Sequence, residues 1–149
     1  MEGARRRIRA ALARHGWPLC LFLLSAALRG IHLANVVDSK YFTHLGLDPL
    51  FFDEWARRIA AGDWLGGGIF YQDPLYPYFL GTLYALFGAS HVAAVSVQLI
   101  LGSLVAPMVF LASDGWFGRR GAIVSGFLAA TYLPSIYYEA ILLKTWMDV

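Results

Sequence analysis

Apolar residues run in long blocks along this chain, rather than in the period-two alternation of a strand or the narrow stripe of a soluble helix. The first block covers residues 17–37. At ~1.5 Å per residue a helix over this stretch reaches roughly 32 Å, enough for a bilayer core. It contains Arg29 and His32, and an arginine at mid-bilayer costs on the order of 2.5–3.5 kcal/mol on insertion scales. Arg29 lies past the middle, so it either snorkels outward or faces a polar cavity, while His32 has no obvious partner. A secretory signal peptide is the rival reading of a basic head before a Leu-rich run. Against it, apolar character resumes after Arg29 and no small-x-small cleavage site follows. The second block, 92–112, has no charge; Pro107 predicts a kink, and Gly102 with Ala106 a small-xxx-small packing face. The third, 121–143, is interrupted by Pro134 and Glu139, and residues 114–120 form the turn before it. The pattern predicts an all-α membrane protein with about three transmembrane helices.

Between the first two blocks lies a stretch of different character, 38–91. Asp48 followed by Pro49 suits a helix start, aspartate as N-cap and proline at N1. Phe52, Trp55 and Ile59 then share one face, with Asp53, Glu54, Arg57 and Arg58 largely off it, and Gly62 ends the helix. This is the pattern of an amphipathic helix lying at a membrane surface. A glycine- and aromatic-rich loop, 62–74, leads to a second short helix over 77–87 that stops at Gly88. At ~1.5 Å per residue the second helix is too short to cross a bilayer. The loop thus carries two short juxtamembrane helices, and residues 1–149 read as one transmembrane unit without internal repeats.

Composition supports the pattern. Hydrophobic types make up 58% of the chain and charged types 15%, where a soluble domain has about a quarter charged. The net charge is only +2, but Arg5, Arg6, Arg7, Arg9 and Arg14 crowd the first fourteen residues and six of the ten acids fall between Asp38 and Asp73. The basic cluster directly precedes an apolar run, so it sets topology rather than marking a nucleic-acid surface. Together with Arg119 and Arg120 it places the amino terminus and the 114–120 turn in the cytoplasm and the 38–91 loop outside. Cys20 is the single cysteine and lies in an apolar run, so neither an internal disulfide nor a cysteine metal site is available.

No phosphate-binding loop, dinucleotide fingerprint, zinc spacing or nucleophile elbow is present. The candidate chemistry lies in acids at the outer surface: Asp48, Asp53, Glu54, Asp63, Asp73 and Glu139. Each has a plain structural reading beside the chemical one. Asp48 caps a helix, a role worth about 1 kcal/mol, and a cap at the mouth of a cavity still accepts a proton. Asp53 and Glu54 suit a solvated helix face. Asp63 and Asp73 suit turns, the latter before a proline. Glu139 sits where the third block leaves the membrane, as an interface anchor or a group facing a cavity. Trp64, Tyr71, Tyr76, Tyr78 and Tyr84 suit an interfacial aromatic belt, with sugar stacking as the less ordinary role. His44 and His91 read as surface residues.

Residues 48–88 read DPLFFDEWARRIAAGDWLGGGIFYQDPLYPYFLGTLYALFG. This stretch resembles the first outer loop of GT-C-type glycosyltransferases, among them the protein O-mannosyltransferases and lipid A aminoarabinose transferases. The resemblance rests on Asp48 opening a helix, Ala56-Arg57 near its middle, then Gly62-Asp63-Trp64, Pro74-Leu75-Tyr76-Pro77, Leu86-Phe87-Gly88 and the turn Phe117-Gly118-Arg119-Arg120. It implies an inverting transfer of a sugar from a polyprenyl-phosphate carrier to a glycan, lipid or protein acceptor on the periplasmic face of a bacterial inner membrane. The donor would be a substrate lipid, with no cofactor and no legible metal site. Asp48 would be the catalytic base, with Asp53, Glu54 and Glu139 as further site acids and Arg57 and Arg58 as contacts for the carrier phosphate. Aminoarabinose transferases carry a lysine near the position of Asp73, so phosphate recognition would differ here. The family has more spans than three, so the resemblance predicts an amino-terminal fragment, inactive alone. The non-enzymatic alternative is a small membrane scaffold or transporter subunit.

Overall fold

The computed structural model describes residues 2–65 and 72–148, with side chains described from residue 16 onward except at Tyr41. The side chains of the amino-terminal arginines, and Tyr71 with the middle of the 62–74 loop, lie outside the described residues. Every regular element among the described residues is helical: α1 (Glu2–Val36), α2 (Lys40–Thr43), α3 (Leu47–Ala60), α4 (Leu75–Phe87), α5 (His91–Ser103), α6 (Val105–Ala130), α7 (Leu133–Glu139) and α8 (Thr145–Asp148). Two stretches are long and apolar enough to cross a bilayer, Gly16–Val36 and His91–Ala130. In the first, 17% of the most apolar window is buried, whereas the core helix of a soluble protein is mostly covered. Leu19, Leu23 and Ile31 each expose more than half their surface there.

Proline explains where the long second stretch breaks. A proline ring clashes with the carbonyl four residues earlier and has no N–H to offer it. Pro107 therefore acts on Ser103, where α5 ends, and Pro134 acts on Ala130, where α6 ends. The kink expected at Pro107 is thus found one turn upstream. The expected 121–143 helix is divided: Tyr132 is extended, Pro134 falls in the first turn of α7, and the helix ends at Glu139.

The expected loop over 114–120 is corrected too. Helix continues to Gly118, whose φ of 66° and ψ of 176° reverse the chain within α6. The reversal is visible in the packing: a methyl on Gly126 would lie 3.0 Å from Phe110 Cβ and 3.2 Å from the Ala106 carbonyl oxygen. Along one straight helix those residues would be some 24–30 Å apart. The two arms of α6 are therefore antiparallel. Leu21 of α1 joins them, its Cδ1 2.6 Å from the same methyl position, and with Ala106, Phe110, Ala122 and Ala130 it forms one apolar core. Farther along α1, Arg29 meets Ser135 and Glu139. Helix α1 thus runs parallel to the second arm and α7, so its arginine-bearing start lies at the same end as Arg119 and Arg120.

A second core lies at the opposite end. Phe52 and Ala56 of α3 pack with Tyr76, Leu80, Leu83 and Tyr84 of α4, Ala94, Val95 and Leu99 of α5, and Ala140 and Leu142 after α7. As the sequence pattern predicts, Phe52, Trp55 and Ile59 form the buried face of α3, and Gly62 and Gly88, both at positive φ, follow the ends of α3 and α4.

Candidate functional site

Polar residues gather at this second end in three groups. The deepest centres on Arg29, 1% exposed, and Glu139, 2% exposed. Arg29 Nε donates to Glu139 Oε2 at 2.5 Å and Nη2 to Oε1 at 2.8 Å, a bidentate pair. Ser25 accepts from Arg29 Nη1 at 2.6 Å, and the Ser135 hydroxyl donates to Glu139 Oε1 at 2.5 Å. Gln98 of α5 donates to the Glu139 backbone carbonyl at 2.9 Å and accepts from the Tyr76 hydroxyl at 2.8 Å. One connected network thus ties α1, α4, α5 and α7 together. Of the two readings for Arg29, neither snorkelling nor an open polar cavity holds: its partner is a carboxylate 110 residues away. Glu139 likewise is neither an interface anchor nor open to a cavity.

The second group corrects the solvated-face reading of Asp53. It is 5% exposed, accepting from Arg57 Nε at 2.7 Å and from the Tyr84 hydroxyl at 2.5 Å. Arg57 also lies over the Tyr84 ring. Its charge is thereby committed within α3 and α4, whereas Glu54 and Arg58 remain on the exposed face. Tyr76 and Tyr84 are buried core residues rather than belt residues; Trp64 and Tyr78, stacked 6.0 Å apart, are partly exposed. Burial, then the hydrogen bond to Asp53, pushes the Tyr84 phenol well above its usual value. Because the folded value is raised, the stability from this proton is intact below about pH 10 and is lost as pH climbs toward the folded value. Alkaline absorbance titration of wild type and Tyr84→Phe is expected to show equal phenolate content at about pH 10–11. A wild-type excess of one phenolate there would contradict the burial.

The third group contains Asp48. Gly46, not Asp48, precedes the first turn of α3, and no side chain caps it. Asp48 lies exposed within that turn and accepts a long bond of 3.4 Å from Gln72. The preceding Leu47 has φ of 52°, a left-handed conformation that costs a non-glycine residue on the order of 1–2 kcal/mol. Beside Gln72, Asp73 binds Lys144 Nζ at 2.5 Å. Asp73, and more weakly Asp148 and Asp48, hold Lys144 above its usual value, so it stays a cation. The segment after α7 thus brings a lysine to Asp73. Asp63 lies exposed in the turn after Gly62.

Next to Asp48 is a cavity of about 470 Å³. Leu47 and Pro49 line it and Asp48, between them, does not; the other walls include His32, Phe42, His91, Tyr137 and Leu142. His91 is half-buried and stacked flat on Phe42 at 4.1 Å, not a free surface residue. His32 faces the Tyr137 ring at 6.4 Å, and His44 is exposed with its ring bonded to Thr43. Among the described residues no cluster of three or more histidine, cysteine, aspartate or glutamate side chains is placed to hold a metal.

The structure thus brings Asp48, Asp73 and Lys144 into one corner, and separates Asp53 and Glu139 from it by burying each against its own arginine. Lys144 and Gln98 were missed by sequence reasoning. Gln98 carries a signal in retrospect, as a polar amide within the uncharged 92–112 block; Lys144 carries none. Set against known proteins, the chain matches no family model, no curated protein and no solved structure.

Proposed function

We propose that this chain forms part of a membrane glycosyltransferase that moves a sugar from a polyprenyl-phosphate carrier to an acceptor at the outer face of a bacterial inner membrane. Three crossings serve this reading: α1, then α5 with the first arm of α6, then the second arm with α7. The amino terminus and the Gly118 reversal lie in the cytoplasm, and α3 and α4 in the periplasm. The observation that carries the reading is the placement of an exposed carboxylate, Asp48, in the first turn of an amphipathic helix at the end of the bundle away from both arginine clusters. At that end Asp73 also lies beside an accessible cation, Lys144.

In the proposed step an acceptor hydroxyl attacks the anomeric carbon as Asp48 takes its proton. The carbon–oxygen bond to the carrier phosphate breaks, its electron pair stays on the phosphate, and polyprenyl monophosphate leaves with one more negative charge. Lys144, with Arg58 as the more distant cation, supports that charge. Its ammonium has three N–H donors and Asp73 occupies one. Arg57, Asp53 and Glu139 shape the scaffold instead.

The test is genetic and chemical. Asp48→Asn at the native locus is expected to abolish one surface glycolipid or glycoprotein modification, seen by mass spectrometry, that deletion of the gene also abolishes. A deletion that changes no glycan would overturn the transferase reading. A glycan lost on deletion but kept in Asp48→Asn would overturn the base assignment alone.

A further inference from the structure

The end of the bundle near the Gly118 reversal carries a groove that the transfer step does not use. Helix α1 and the second arm of α6 run parallel there and leave a cavity of about 280 Å³ between them. Trp17, Leu21 and Leu24 line it from α1, and Val124, Phe127 and Leu128 from α6; among the described residues none that lines it is charged. Trp17, Val124, Phe127 and Leu128 are exposed, so the groove opens to the side of the bundle. Helical register then sets a cation at the head of each wall. Residues three or four apart share a helix face, so Val124, Phe127 and Leu128 continue the face of Arg120, and Trp17, Leu21 and Leu24 follow the position of Arg14. The second arm starts at this end and side chains tilt toward a helix's start. The Arg120 stem therefore leans toward the bundle end, where a lipid carries its headgroup above its chain. Arg119 has Asp114 3.8 Å away and the Phe110 ring beneath it, whereas Arg120 is exposed and, among the described residues, has no acid paired with it. The sequence of α1 before residue 16 adds five arginines against one acid, Glu2. An apolar groove between two spans, headed by positive charge that no acid offsets, fits a lipid with a net negative headgroup.

We propose that this groove holds an acyl chain of an anionic phospholipid, with the headgroup phosphate paired with Arg120 and the arginine-bearing turn of α1 beside it. The guanidinium fork suits a phosphodiester's two free oxygens. The groove offers no carboxylate to receive the ammonium of a zwitterionic headgroup, so net charge sets the preference. The sugar carrier is assigned to the opposite end, at Lys144, and the lipid site stands whether or not the chain transfers sugar.

The experiment uses the full chain, purified in detergent, with dioleoyl phosphatidylglycerol and dioleoyl phosphatidylcholine as probes. Retained lipid is counted by native mass spectrometry, and the site is mapped with a phosphatidylglycerol bearing a diazirine in its acyl chain. One phosphatidylglycerol is expected to be held about tenfold tighter than phosphatidylcholine, with adducts on the segments around Leu24 and Phe127. Arg14→Gln combined with Arg120→Gln is expected to lower phosphatidylglycerol to the phosphatidylcholine level. Lys40→Gln, at an exposed cation of the opposite end, is expected to leave the preference intact. Val124→Trp fills the groove and is expected to abolish the adducts in both segments while the melting temperature holds. Equal retention of the two lipids by wild type, a preference that survives loss of both arginines, adducts confined to other helices, or a lipid-free dimer that closes the groove with a second copy would each overturn the proposal.

Discussion

Glu139→Ala is expected to destabilise the folded chain by about 3–5 kcal/mol, the cost of leaving a buried charge without its partner. Arg29 would keep its guanidinium at 1% exposure with only Ser25 and Ser135 as acceptors. The side chain lies in the apolar part of α1 and cannot reach water without unpacking α1 from α7. The comparison that makes the prediction specific is the paired replacement Arg29→Met with Glu139→Leu. An apolar pair of similar volume removes both charges and their desolvation, so the double variant is expected to unfold later than either single variant in detergent melts. Loss equal to the sum of the two single variants would show that the residues do not act as a pair.

Gly102→Ala carries the next largest effect, about 2–3 kcal/mol, the upper part of the range for overpacking a core. A methyl on Gly102 would fall on the carboxyl group of Glu139, which is held by the Arg29 fork and Ser135 and has no room to retreat. Most buried neighbours yield by a rotamer change; this one would break its hydrogen bonds. The same substitution in a Glu139→Ala background is therefore expected to cost well under 1 kcal/mol, since the obstructing group is gone. An equal cost in both backgrounds would place the strain elsewhere on α5.

These two residues also show what the sequence revealed and what it withheld. Helical spans, the paired faces of α3 and the closing glycines follow from local spacing, which chain neighbours decide. The Gly102–Ala106 spacing correctly marks a close-packing face, Gly102 against Glu139 and Ala106 against Gly126. What it packs against depends on the reversal at Gly118 and on the relative depth of α1 and α7, neither of which is a local property. Arg29 and Glu139 each look anomalous alone, one in each of two apolar blocks. Read together, two opposite charges in two apolar blocks call for a partner, and the only affordable partner inside an apolar bundle is each other. Asp53 departs from its pattern for a related reason: its spacing from Phe52 suggests the polar face of α3, but α4 covers that edge and Tyr84 meets it. Of the proposed site, Asp48 was legible because it begins a helix. Lys144 was not, because it reaches Asp73 across 71 residues from a segment without a periodic pattern.

The account turns on which end of the bundle lies outside the membrane. With Cys20 replaced and single cysteines introduced at Asp63 and at Gly115, beside the reversal, intact cells would be treated with a membrane-impermeant thiol reagent. Labelling at position 63 and protection at 115 is the expected result, and it places Asp48, Asp73 and Lys144 where lipid-carried sugars are used. Labelling at 115 with protection at 63 would put that corner in the cytoplasm and contradict the proposed function.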